Sequence, residues 1–135
     1  MKCPVCRAIY RPSRITTDFR LIASTSCRRC GVDLAPLISL HDLALWHHRA
    51  AIQSFQSGDL VKAITQNQHA IAIDSRNADF HVFAGQILAL QGEFNLAIAA
   101  WHKAMEISPQ HPKAAKFLQL LRIDKSLSQQ VQINL

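Results

Sequence analysis

The chain has 135 residues, a net charge of +6 and 49% hydrophobic residues. That length admits one modest domain and a small module, and no apolar run is long enough to span a membrane: Ala97-Ile98-Ala99-Ala100-Trp101 stops at His102-Lys103. The charge is uneven, +5 over residues 1–40, −2 over 41–111 and +3 over 112–135, so the middle of the chain offers no continuous basic track.

All four cysteines lie near the start, as Cys3-Pro4-Val5-Cys6 and Cys27-Arg28-Arg29-Cys30. Each C-x2-C turn aims two thiolates at one ion, and two such turns close a tetrahedron with no position left for water. The pattern therefore predicts a single structural zinc ion held by Cys3, Cys6, Cys27 and Cys30. Spacing alone also admits iron or an iron–sulfur cluster. Two disulfides would suit a secreted chain, but Met1-Lys2 leads straight into the motif with no apolar signal segment. The expectation is a reducing, cytoplasmic setting. The first 38 residues carry few large apolar side chains, so metal binding has to supply much of their folding free energy. Between the pairs, β-branched and aromatic residues predict two short strands, at 8–12 and 15–23, with a turn near Pro12-Ser13. Gly31 follows the second pair, where a positive φ lets the backbone wrap a sulfur.

Cys3-Pro4-x-Cys6 and Cys27-Arg28-Arg29-Cys30-Gly31-Val32-Asp33-Leu34 resemble a zinc ribbon over about the first 34 positions. Arg7 departs from that pattern, since many ribbons carry glycine there. The ribbon, taken as residues 1–38, holds Arg7, Tyr10, Arg11, Arg14, Phe19, Arg20, Arg28 and Arg29. This is the one patch suited to phosphates and unpaired bases, or to an acidic protein surface. The plainer account is that arginines keep a tiny domain soluble.

Residues 44–77 and 78–111 align without gaps at an offset of 34. Identical pairs are Ala44/Ala78, His47/His81, Ala50/Ala84, Gly58/Gly92, Ala63/Ala97, Ile64/Ile98, Ala70/Ala104 and Ile73/Ile107. This is the period of a helical-hairpin repeat. Ser39-x-x-Asp42 is expected to cap the first helix. Gly58-Asp59 and Gly92-Glu93 are expected to close one helix and open the next. Pro112 suits the first turn of a last, capping helix over 112–124, with Ala114, Phe117, Leu118, Leu120 and Leu121 on its apolar stripe. Residues 125–135 read as a frayed end or tail.

Gly85, Leu88, Gly92, Ala97, Trp101, Ala104 and Pro109 resemble the tetratricopeptide repeat pattern, with small residues where helices touch and Trp101 as the large aromatic. The first copy keeps Gly58, Ala63 and Ala70 but has Ser54, Asn67 and Ser75 where the family places large apolar groups and proline. The resemblance implies a mainly α fold, two hairpins and a cap over residues 39–124, preceded by a small β ribbon. It also implies a groove lined by His48, Ile52 and Phe55 from the first copy, Val82, Gln86 and Ala89 from the second, and Lys113, Lys116 and Leu120 from the cap. Family members that clamp carboxylate tails use asparagines that this chain lacks, so an amphipathic helix or apolar strand fits better. Self-packing or a homodimer is the alternative occupant. Trp46 is expected to pack near Leu34, Leu37 and Leu40. His41, His47 and His48 come with no nucleophile or carboxylate motif, and the recurrence of His47 and His81 argues for helix packing. The expectation is therefore a non-catalytic adaptor binding a protein partner, with a nucleic-acid-binding accessory protein as the alternative.

Overall fold

The computed structural model describes residues 2–9 and 26–133, with residues 123–133 as backbone only. The predicted strands at 8–12 and 15–23 lie outside the described residues, apart from Ala8 and Ile9. Among the described residues the fold is mainly α, with five helices: α1 (Ala35–Gln56), α2 (Leu60–Ile73), α3 (Ala78–Leu90), α4 (Phe94–Ile107) and α5 (Pro112–Ile133). No sheet forms among them; two isolated antiparallel bridges join Lys2 to Ile9 and Ser26 to Asp33. The chain divides into two compact units, Met1–Asp42 and Leu43–Leu135. No helix among the described residues is long and apolar enough to cross a membrane.

In the second unit, successive helices pack as hairpins: α3 on α4, α2 on α3 and α4 on α5. The turns that join α1 to α2 and α3 to α4 repeat the same geometry. Gly58 (φ +84°) and Gly92 (φ +83°) take the left-handed conformation that only glycine adopts freely. The Asp59 N–H donates to Ser54 O at 2.9 Å, and the Glu93 N–H to Leu88 O at 2.9 Å, satisfying carbonyls at the ends of α1 and α3. Asp59 then caps α2, its carboxylate accepting from the Lys62 N–H at 2.9 Å. Glu93 makes no such cap; its longer side chain is a poor N-cap, so the expected symmetry of the two starts fails at that atom.

Two other expectations are corrected. Ser39 and Asp42 do not start α1. The helix begins at Ala35, whose N–H is accepted by the Asp33 carboxylate at 2.9 Å, with Pro36 in the first turn where a missing N–H costs nothing. Trp46, expected to be covered, is 59% exposed. It stands at the position of Phe80 in the next copy, which is 1% exposed because a preceding hairpin covers it. At the far end, α5 continues as helix past residue 124 to Ile133.

Among the described residues, the core of the second unit falls in two parts. Ala44, Ala70 and Phe80 centre one, with Leu45, Ile71 and Ile73 around it. Val82, Ala97, Trp101, Ala104 and Ala114 form the other, with Leu88, Met105 and Phe117 against it. Here the fit depends on Gly85: a Cβ at this position would lie 2.6 Å from Trp101 Cδ1, too close to the indole. The close approach lets Trp101 Nε1 donate to Val82 O at 3.1 Å and the ring stack on Phe117 at 5.0 Å.

Candidate metal centre and helical groove

The cysteine turns are near copies of one another. Residues 2–9 and 26–33 share an offset of 24, and their hydrogen bonds match atom for atom. Arg7 N–H donates to Cys3 O (2.9 Å) and Cys3 N–H to Ala8 O (2.9 Å); Gly31 N–H donates to Cys27 O (2.8 Å) and Cys27 N–H to Val32 O (2.9 Å). Gly31 takes φ +73°, and Arg7 adopts φ +57° in the equivalent place without being glycine. An L side chain there costs about 1 kcal/mol, which the closed turn has to offset.

All four sulfurs lie within 4.8 Å of one another, so Cys3, Cys6, Cys27 and Cys30 could hold a metal ion. Cys3 Sγ is 3.5 Å from Cys30 Sγ, and Cys6 Sγ is 3.5 Å from Cys27 Sγ. A disulfide needs about 2 Å, and the cysteines are free. A metal–sulfur distance of about 2.3 Å places sulfurs on a tetrahedron about 3.8 Å apart, close to what these turns present. Backbone amides prepare the thiolates. The N–H of Cys6, followed by that of Val5, holds the Cys3 thiol below its ordinary value. The N–H groups of Cys30 and Arg29 bring Cys27 down to about 6. The Val32 N–H also favours the Cys30 thiolate, but desolvation and the three neighbouring sulfurs overrule it and push Cys30 up to about 12. Four sulfurs packed this closely cannot all ionise without a cation among them, and a divalent ion removes that conflict. Leu34, fully buried, packs with Cys3 and Cys27 and shields one side. Arg7, Arg28 and Arg29 are exposed around the turns; Tyr10, Arg11, Arg14, Phe19 and Arg20 lie outside the described residues.

In the second unit, α1, α3 and the start of α5 wall an open groove of about 500 Å³. Of the nine residues expected there, His48, Ile52, Phe55, Val82, Gln86 and Lys113 line it. Ala89 packs into the core around Trp101 instead, and Lys116 and Leu120 are exposed further along α5. Residue spacing did not single out Phe83, which is the hub of the aromatic wall. Its ring meets Phe55 at 5.4 Å and His48 at 5.3 Å. The signal available was its place one helical turn before Gln86 on the same face.

His48 is fixed from behind. Buried Asn67 donates from Nδ2 to Phe80 O at 2.8 Å, which turns its Oδ1 toward His48 Nδ1 at 2.9 Å. That nitrogen therefore carries the proton, and a neutral His48 keeps Nε2 as an acceptor. Phe80, 4.7 Å away, holds the ring's other side. No buried side-chain nitrogen or oxygen among the described residues lacks a partner, so the polar residues of the first copy are satisfied core. Of the recurring pair, His47 bonds Gln66 Oε1 (2.8 Å) across from α1 to α2, whereas His81 bonds Ser75 O (2.9 Å) in the turn before its own helix, so only His47 makes a helix-packing contact.

No protein-family model matches this chain, and no curated protein matches it significantly.

Proposed function

We propose that this protein is a non-catalytic, cytoplasmic adaptor in which two tetratricopeptide-type hairpins and a capping helix hold a protein segment, while a zinc ion on four cysteines stabilises a second docking surface. The observation that carries this reading is the open groove on α1, α3 and α5, whose walls mix apolar Ile52, Phe55 and Phe83 with the hydrogen-bonding groups of His48 and Gln86. Its chemistry suits an apolar helix or strand with backbone groups to satisfy. Zinc is the ion assigned because four sulfurs with no open position suit a structural role, and elemental analysis of the native protein separates it from iron, which the same tetrahedron also takes.

The test is capture of partners on the full chain and on Ile52→Glu/Gln86→Glu, both sites being only half-buried. A partner retained by the native chain and lost from the variant, with helical circular dichroism unchanged, supports the reading. Equal capture by both, or none by either, overturns it. The exposed Arg7, Arg28 and Arg29 favour one second reading, a nucleic-acid-binding accessory protein. Binding that falls steeply with salt would support that reading, since counterion release drives it, whereas flat salt dependence would remove it.

A further inference from the structure

Away from the groove, α4 and α5 enclose a trough on another face of the second unit. Two adjoining hollows of about 490 and 190 Å³ share His102, Leu118 and Arg122. The floor is apolar, with Ile98, Met105 and Leu121 alongside Leu118, and Arg122 and His102 stand exposed on the rim. No carboxylate lines it.

Repeat arithmetic says what shape belongs there. Helix α5 starts 34 residues after α3, as α4 starts 34 residues after α2, so α5 is a third copy of the first helix of a hairpin. On α3, which pairs with α4, Ala84 and Ile87 are 8% and 0% exposed. Their counterparts on α5, Leu118 and Leu121, are only half-buried. The described chain supplies no second helix for them, because α5 continues as one helix to Ile133. Two other counterparts change character. Gln119 stands where α3 has Gly85, and Arg122 where it has Leu88. A copy of α4 would drive its tryptophan into Gln119 and bury Arg122 unpaired, so the matching helix must differ from α4 at both points.

We infer that the α4–α5 trough is a further docking site, taking an amphipathic helix from another protein that is acidic along the edge facing Arg122 and His102. A second copy of α5 fits poorly, since Lys113, Lys116 and Arg122 give it the same sign of charge. This surface is separate from the groove proposed above, and the inference stands or falls apart from that reading.

The test uses the full, metal-loaded chain and two fluorescent designed peptides. They share one leucine stripe at helical spacing, flanked by glutamates in one and by lysines in the other. Anisotropy should show the glutamate peptide binding about fivefold more tightly. Arg122→Glu should invert that preference, and His102→Glu, which leaves the Arg122 cation in place, should abolish it should the first variant fold poorly. Inversion is a readout that mere structural damage does not produce. Ile52→Glu should leave the binding unchanged. The inference is overturned by equal affinity for the two peptides, by no binding of either, or by binding lost in Ile52→Glu but kept in Arg122→Glu. A concentration-dependent dimer dispersed by Arg122→Glu would likewise overturn it, by assigning the trough to a second copy.

Discussion

The two hairpins solve the same packing problem with different chemistry. In the second, Gly85 lets the Trp101 indole lie against α3, and an apolar ring with one hydrogen bond fills the interior. In the first, Ala51 and Asn67 stand at the corresponding places. Asn67 is fully buried and joins the His48 ring to the Phe80 carbonyl. A carboxamide is much smaller than an indole, and its hydrogen bonds position His48 as part of the groove wall. The comparison teaches that a polar residue at a core position of a repeat need not mark a failed copy. It can mark the copy whose core also shapes the groove wall. The cysteine turns show the same contrast on a smaller scale, with Gly31 in one and Arg7 in the other at left-handed φ.

The sharpest way to separate the regions is to load the four cysteines with zinc and then remove it. A strong chelator should unfold the Cys3–Cys30 region while far-ultraviolet circular dichroism of the helices is retained; loss of the whole helical signal would show one cooperative body. Acid should act on the same site. Cys27 has its thiol depressed to about 6, so its contribution is present above the ordinary thiol value and is lost as pH falls through about 6. A chromogenic chelator should report metal retained at neutral pH and released below that point, the bound ion itself shifting the midpoint lower.

Within the second hairpin, Trp101→Ala should cost about 3–5 kcal/mol in chemical denaturation, from lost burial and the cavity left behind. In the first hairpin, Asn67→Ala should cost about 1–3 kcal/mol by stranding the His48 Nδ1–H, the Phe80 carbonyl keeping its partner within α3. Its nuclear magnetic resonance signature should be a change in the His48 tautomer, which Trp101→Ala leaves alone. Gly85→Ala should destabilise by about 1–3 kcal/mol despite the better helix propensity of alanine, because the indole has nowhere to move. Native Ala51 already shows that the first hairpin accommodates that methyl. The smallest effect distinguishes the cysteine turns. Arg7→Gly should stabilise the metal-loaded protein by up to about 1 kcal/mol, and Gly31→Ala should destabilise it by a similar amount. Equal and opposite shifts in thermal midpoint would confirm that the two turns are equivalent.

Much of this architecture was legible from residue order alone. The 34-residue offset set where α2, α3, α4 and α5 begin, because turn glycines and small contact residues act locally and recur in register. The four thiols declared their cluster through spacing, since each C-x2-C turn needs only short-range geometry. Where α1 starts was not legible from Ser39 and Asp42, because Asp33 and Pro36 form a competing start upstream. The exposure of Trp46, the roles of Asn67 and Phe83, and the charged rim of the α4–α5 trough were settled only by tertiary structure. Each depends on which helix lies across from the residue, and a residue's own neighbours along the chain carry no information about that.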